Sequence, residues 1–362
     1  MTMMKCLQNK RTRRDLITYA LVIAAFVAVY FLQANRMIPR MIVGQLVPIC
    51  SYVVMALSLN LVVGVAGDLS LGHAGFMSVG AYTGIVAAMS LTQAVPDDGL
   101  RLVIAMIVGA ASAALAGFVI GIPVLRLSGD YLAIVTLAFG EIIKEIVTCL
   151  IVGVDECGLH VLFNLTGSLS VSDLNLSEGG TAIIKGAQGA SGVETISTFI
   201  AGFLLVMVAL VVVLNLVRSR TGRAIMAVRD NRIAAESVGI STTKYRMIAF
   251  VVSAALAGAA GALFGNGFSQ LSATKFDFNT SILILVFVVL GGLGNMRGSI
   301  VAAVALTILP EALRQFSDYR MLVYAVVLIL VMIVSNNDAI KGAVGRLKAR
   351  LTSREKEVGA DV

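Results

Sequence analysis

An all-α, polytopic transmembrane helical bundle with about ten crossings and both termini cytoplasmic is the fold class that three observations predict. Of 362 residues, 58% are hydrophobic and only 14% charged, and a mean hydropathy of +0.93 leaves no polar coat for a water-soluble globule. Uncharged runs near the roughly 20 residues that cross a bilayer recur along the chain. Basic residues outside those runs gather on alternate connections, as the cytoplasmic retention of Lys and Arg requires.

The clear runs are 16–33 (after Asp15), 41–64, 69–94, 102–125, 195–217, 247–274 and 278–296. Three are weaker: 131–153 contains Glu141, Lys144 and Glu145, 298–316 contains Glu311 and Arg314, and 321–335 is short. Residues 1–15 form a basic cytoplasmic N-terminus, 16–335 the membrane domain and 336–362 a cytoplasmic tail. An outer loop spans 154–194, and the longest internal cytoplasmic connection spans 218–246. The first run follows a basic region but is long for a signal-peptide core and lacks a small-x-small cleavage site, so it reads as a retained helix.

With alternating crossings, Lys5, Lys10, Arg11, Arg13 and Arg14 fall inside, as do Arg218, Arg220, Arg223, Arg229, Arg232, Lys244 and Arg246. The opposite side receives Asp97, Asp98, Asp155, Glu156, Asp173, Glu178 and Glu194, with Lys185 the single basic residue of the long outer loop. Arg36, Arg40, Arg101, Lys275 and Arg320 run against the bias. The net charge of +7 therefore reflects topology and contact with membrane lipid; no nucleic-acid partner is expected, because the basic residues flank apolar runs without interleaved aromatics.

Cys6, Cys50, Cys149 and Cys157 show no Cys-x-x-Cys spacing, and His73 and His160 are the only imidazoles, so neither a metal site nor a disulfide is expected. Neither a G-x-x-x-x-G-K-[ST] phosphate loop nor a G-x-S-x-G elbow occurs. The chain reads as a non-enzyme that binds no cofactor, and any ATP must be bound by another subunit.

The stretch Gly67-Asp-Leu-Ser-Leu-Gly-His-Ala-Gly-Phe-Met-Ser-Val-Gly-Ala-Tyr82 places glycines beside Ser70 and His73 in an otherwise lipid-soluble chain. Irregular backbone survives at membrane depth only where protein or a watery cavity satisfies its amides, so the stretch suggests a pathway lining. Close helix packing explains the same glycines. Gly109, Ala113, Gly117 and Gly121, like Ala257, Gly261 and Gly265, repeat every four residues as small faces, one of them available to a partner chain. Glu141 and Lys144 are spaced for an i, i+3 ion pair.

Residues 221–240 predict a short cytoplasmic helix: Ala224, Ala227, Ala234 and Ala235 favour it and Gly239 stops it. Such a helix can dock in a groove of another subunit, with Arg223, Arg229, Asp230 and Glu236 as rim contacts, although the positive-inside bias alone also accounts for the arginines.

Gly67 to Tyr82, Gly129-Asp-Tyr-Leu-Ala-Ile-Val-Thr-Leu-Ala-Phe-Gly-Glu-Ile-Ile-Lys144 and Thr221 to Gly265 together resemble the LivM-type permease of branched-chain amino acid ABC importers, over most of residues 40–335. In the third block Gly-Arg-Ala, Ala-Val-Arg-Asp-Asn, Ala-Ala-Glu-Ser-Val-Gly-Ile and Ala-Phe-Val-Val-Ser-Ala-Ala-Leu-Ala-Gly follow in the family's order. Ile233 stands where the general ATPase-contacting loop of permeases has Glu.

The resemblance implies a multi-pass protein of the bacterial plasma membrane, paired with a second, LivH-like permease, two ATP-binding subunits that use the ATP, and an extracytoplasmic substrate-binding protein. It implies a substrate pathway for a zwitterion, to which Ser70, His73, Tyr131, Thr136 and Glu141 are assigned. It implies ATPase coupling through Gly222, Arg223, Arg229, Asp230, Ala234, Ala235 and Gly239. The outer loop 154–194 becomes a docking surface for the binding protein. Urea or a short-chain amide is the alternative substrate, and a stand-alone secondary transporter using Glu141, Lys144, Glu145 and His73 as an ion path is the alternative mechanism.

Overall fold

The structure, a computed structural model, describes residues 10–35, 39–92, 94–127, 129–155, 158–164, 171–174 and 180–313, together with 322, 323, 325, 326 and 329. Residues 1–9 and the tail 336–362 lie outside the described residues, as do Arg36, Glu156, Cys157, Glu178, Arg314, Arg320 and most of the expected crossing at 321–335. The chain divides into two compact units, 1–304 and 305–362, and the second contributes the end of the last described helix.

Helix dominates, as expected. The membrane helices are α1 (Lys10–Ala34), α2 (Arg40–Asn60), α3 (His73–Ser90), α4 (Asp98–Val124), α5 (Asp130–Thr148) and α6 (Phe199–Arg218). Two short helices, α7 (Arg220–Asp230) and α8 (Arg232–Ser237), precede α9 (Thr242–Gly265), α10 (Phe278–Gly291) and α11 (Met296–Ala312). Every expected run from 16–33 to 298–316 overlaps a helix among the described residues. Among the described residues, five segments are long and apolar enough to cross a bilayer unaided: 16–34, 42–66, 98–124, 199–218 and 242–265. α3 and α5 carry too many polar groups for that criterion, and α10 has only 14 residues, about 21 Å at 1.5 Å per residue. Neighbouring protein has to shield these three.

The main correction to an all-α reading lies after α5. The helix stops at Thr148, and β1 (Leu150–Asp155), β2 (Gly158–Phe163), β3 (Thr181–Lys185), β4 (Ala190–Ser191) and β5 (Gln270–Leu271) form an antiparallel sheet in the order β2-β1-β3-β4-β5. The apolar run read as one crossing over 131–153 is thus a helix followed by a strand rich in β-branched residues, Leu150-Ile-Val-Gly-Val. Because β5 sits in the α9–α10 connection, the sheet ties the long loop to that connection; Val193 N also donates to Ser269 O at 3.1 Å.

The centre is a contact of small residues. A Cβ at Gly80 would lie 2.1 Å from Gly258 O, one at Gly258 2.3 Å from Gly109 O, and one at Gly261 2.0 Å from Met77 O. Those distances place α3, α4 and α9 backbone to backbone. The faces Gly109 to Gly121 and Ala257 to Gly265 are therefore occupied within this chain: Gly117 meets Ala254, Gly121 meets Met247, and Gly265 meets Ala81 and Ile85. Their regular spacing reported intrachain packing, and the expectation that one face is free for a partner is corrected. α1 leans on α6 through Phe26, whose ring lies 3.8 Å from that of Phe203.

Replacing Gly258 by Leu is expected to destabilise by about 1–3 kcal/mol or more, since the side chain must displace backbone. Gly44, with nothing within 4 Å of its would-be Cβ, is the control, and Gly44→Ala should leave the melting temperature in detergent unchanged. Equal melting temperatures for both variants would refute the close contact.

Candidate functional site

α2 does not end at Asn60 but widens into a π-helical turn, Leu61–Ala66, closed by Gly67 in the left-handed region at φ +78°. Residues 67–72 then run without helix until α3 begins at His73. His73 is buried and its Nε2 lies 2.7 Å from Ser58 Oγ. Ser58 precedes Ala66 by two helical turns, so the segment 67–72 doubles back along α2 and α3 starts inside the bundle.

Several backbone groups of the break have protein partners. Leu71 N donates to Thr136 Oγ1 at 3.1 Å, that hydroxyl donates to Ala133 O at 2.9 Å, and Ala74 N donates to Ser281 Oγ at 3.2 Å. Ser253 Oγ donates to Ser58 O at 2.6 Å. Gly72 is pressed so closely on α5 that a Cβ would lie 2.0 Å from Thr136 O. The structure thus brings His73 and Thr136 into one buried polar seam with Ser58, Ser253 and Ser281. Ser70, one residue before Leu71, is fully buried, and its Oγ has no hydrogen-bond partner among the described residues.

The other two pathway candidates lie elsewhere. Tyr131 is 73% exposed on the first turn of α5. Glu141 forms the ion pair with Lys144 that their spacing implies, and its Oε1 accepts from Phe278 N at 3.1 Å, so it holds α5 to the first turn of α10. Asp277 caps the same turn, accepting from Thr280 N at 3.0 Å.

One end of the break is clamped by residues that sequence reading did not single out as a set. Asp68 and Arg246 form a two-pronged ion pair at 2.7 and 2.8 Å, both side chains largely buried, and Arg246 Nη1 also donates to Leu125 O at 3.0 Å. Asn60 accepts from Gly294 N at 2.8 Å and donates to Ser299 Oγ at 2.9 Å, which pins the glycine-rich turn between α10 and α11. Asp68 next to a break and Asn60 inside an apolar run are the available signals, since a polar residue at such a position needs a partner.

The segment expected as one helix over 222–239 is two. Asn231 leaves the helical region at φ −155° and ψ 106°, and its side chain accepts from Ala234 N at 3.0 Å to start α8. Gly222 is buried in the α6–α7 corner, where a Cβ would meet Leu216 O at 2.2 Å; its role is the sharp turn. Ala235 is buried, Ala234 and Arg223 are exposed, and Gly239 closes α8 at φ +82°. Ile233 and Val238 are 81% and 73% exposed, two apolar side chains standing on a charged surface. Arg229 turns the other way: Nη1 donates to Gly64 O at 3.1 Å, while Nε and Nη2 hold Asp230 at 3.0 and 2.8 Å.

Broken helices around a buried polar seam, bonded to a surface helix pair, define a multi-pass helical membrane protein of the transporter class. The sequence profile of the family described as branched-chain amino acid transport system / permease component matches residues 41–333, and the chain belongs to that family. The high-affinity branched-chain amino acid transport system permease protein LivM of Salmonella typhimurium is 37% identical over 295 residues, 78% of this chain and 66% of its own length. LivM of Escherichia coli is 36% identical over the same shares, and LivH of Escherichia coli 29% identical over 291 residues, 78% of this chain and 89% of its own length. The chain thus spans about two thirds of the length of those LivM relatives. No solved structure matches.

The Thr242 hydroxyl at 2.8 Å, and then the Arg232 guanidinium, hold Glu236 below the usual carboxylate range. A depressed folded value means that the stabilisation is present above the ordinary carboxylate pKa and is lost as pH falls through the folded one. The protection of amides 237–242, corrected for the intrinsic pH dependence of exchange, should therefore fall on acidification, and Glu236→Gln should show the lowered protection already at neutral pH. Separately, Arg246→Met leaves Asp68 without its partner and should cost about 3–5 kcal/mol, visible as a lowered melting temperature. An unchanged melting temperature would argue against the clamp.

Proposed function

We propose that this chain is one permease half of an ABC importer that moves branched-chain amino acids, working with a second, LivH-like permease, two ATP-binding subunits and an extracytoplasmic binding protein. The observation that carries this reading is the two-faced helix pair α7–α8. One face exposes Ile233 and Val238 for a partner's groove, and the other is bonded through Arg229 to the break that leads to Ser70 and His73. Family membership and the printed names of the LivM and LivH relatives support the substrate class.

Ten crossings with both ends inside are part of the proposal, and the pattern of bonds between helix ends supports it. Gly64, Asp68, Leu125, Arg229, Arg246 and Gly294 meet at one end. Arg101 pairs with Glu194, Tyr82 donates to Leu271 O, and Ser197 donates to Leu263 O at the other. Alternating crossings put the first set in the cytoplasm and the second outside, where the sheet and the acidic loop face the binding protein. The ion path of a stand-alone transporter gains no such support, since Glu141 and Lys144 are engaged at the start of α10 and not with His73. A seam of hydroxyls and one imidazole suits the charged ends of an amino acid, with no residue of this chain required to bind ATP.

The test is reconstitution of the chain with a LivH-like permease and the ATPases, fed by the binding protein, with uptake of labelled leucine and labelled urea compared. ATP-dependent leucine uptake is expected; gradient-driven uptake by the chain alone would overturn the reading. Gly239→Val forces a β-branched residue into the left-handed region, at roughly 1–2 kcal/mol, with open space around the new side chain. Uptake should fall while the chain remains in the membrane at normal levels, and unchanged uptake would count against docking through α8.

A further inference from the structure

We propose that Arg229 is a transmission strut: it converts movement of the α7–α8 pair into a change of register at the π-turn 61–66, and so repositions Ser70 and His73. This rests on the permease reading above and says how its site is driven. The evidence is the convergence of three features on two consecutive turns of backbone.

The first is the grip itself. Arg229 stands on the last turn of α7, and its Nη1 reaches the carbonyl of Gly64 in the middle of the π-turn. Its aliphatic stem fills the place where a side chain at Gly67 would stand, with Cγ 2.6 Å from a Cβ built there. Asp230 holds the remaining edge of the guanidinium, which fixes the direction in which the hydrogen bond pulls. The second is that the gripped backbone is deformable in one particular way. A π-turn carries one more residue per hydrogen-bonded ring than an α-turn, so tightening it releases one residue of chain to the segment that follows. What lies downstream is the non-helical segment 67–72, with Ser70 in it and His73 at its end.

The third feature is a pivot. Asp68 is held by Arg246, which also holds the carbonyl of Leu125. A segment pivoted at Asp68 and gripped at Gly64 by the helix pair swings Ser70 and His73, which lie on the far side of the pivot.

The experiment follows deuterium labelling of the backbone amides of residues 61–72 in the complete reconstituted complex, with and without ATP. The expected result is an ATP-dependent labelling rate in the parent that is lost in Arg229→Ala and in the charge-conserving Arg229→Lys. Leucine moved per ATP hydrolysed should fall by about tenfold, a usual size for coupling between sites, while the ATPases stay bound. Gly67→Ala, which collides with the arginine stem, should do the same. ATP-dependent labelling that survives in both Arg229 variants overturns the strut. So does loss of the ATPases from Arg229→Lys, which would make the residue part of the docking surface. A parent complex with no ATP-driven uptake at all overturns the permease reading and the strut with it, and is told apart by needing no variant.

Discussion

Non-helical backbone inside a bilayer must find its hydrogen-bond partners in protein, and residues 67–72 impose that requirement on everything around them. Thr136, Ser281, Ser58 and Ser253 are distributed over α5, α10, α2 and α9, yet each bonds to the break, to the first turn of α3 that follows it, or to the residue that faces His73. The close approach of Gly72 to α5 follows from the same demand, because a hydroxyl can satisfy a backbone amide only if the two chains nearly touch.

Such an arrangement needs a rigid surround, and the small-residue contact of α3, α4 and α9 provides it. In lipid, apolar surface gives no preference for protein over acyl chains, so helices are held by dispersion over closely fitted backbones and by hydrogen bonds. With carbonyls lying where a single methyl group would fit, these three helices can move only as a body. The π-turn and the α7–α8 pair lie outside that contact and are joined to each other through Arg229.

How much of this was legible depends on whether a signal is local. Hydropathy located the apolar helices through α11, because an apolar run of that length has few other uses. Gly67 to Tyr82 was recognisable as irregular, and Thr136 does bond to that segment, at Leu71 N. The sheet was invisible because Leu150 to Val154 continue an apolar run, and nothing local separates a buried strand from the end of a helix. The partners Asp68–Arg246 and Asn60–Gly294 are 178 and 234 residues apart, so no spacing rule can pair them. The four-residue glycine periodicity was real but ambiguous: it announces a close contact and does not say with which helix.

The choice of arginine at both ends of the break follows from geometry. Arg246 must serve a carboxylate and a carbonyl at once, and Arg229 a carboxylate and a different carbonyl. A guanidinium offers five donors in a fixed plane and keeps its charge at every accessible pH, whereas an ammonium offers a single point of attachment that rotates. Two planar forks on either side of Gly64–Asp68 therefore define a direction as well as a distance. A break held by lysines would be neutralised equally well and oriented poorly, and orientation is what the unwound segment requires if Ser70 and His73 are to be presented to the same space in every molecule.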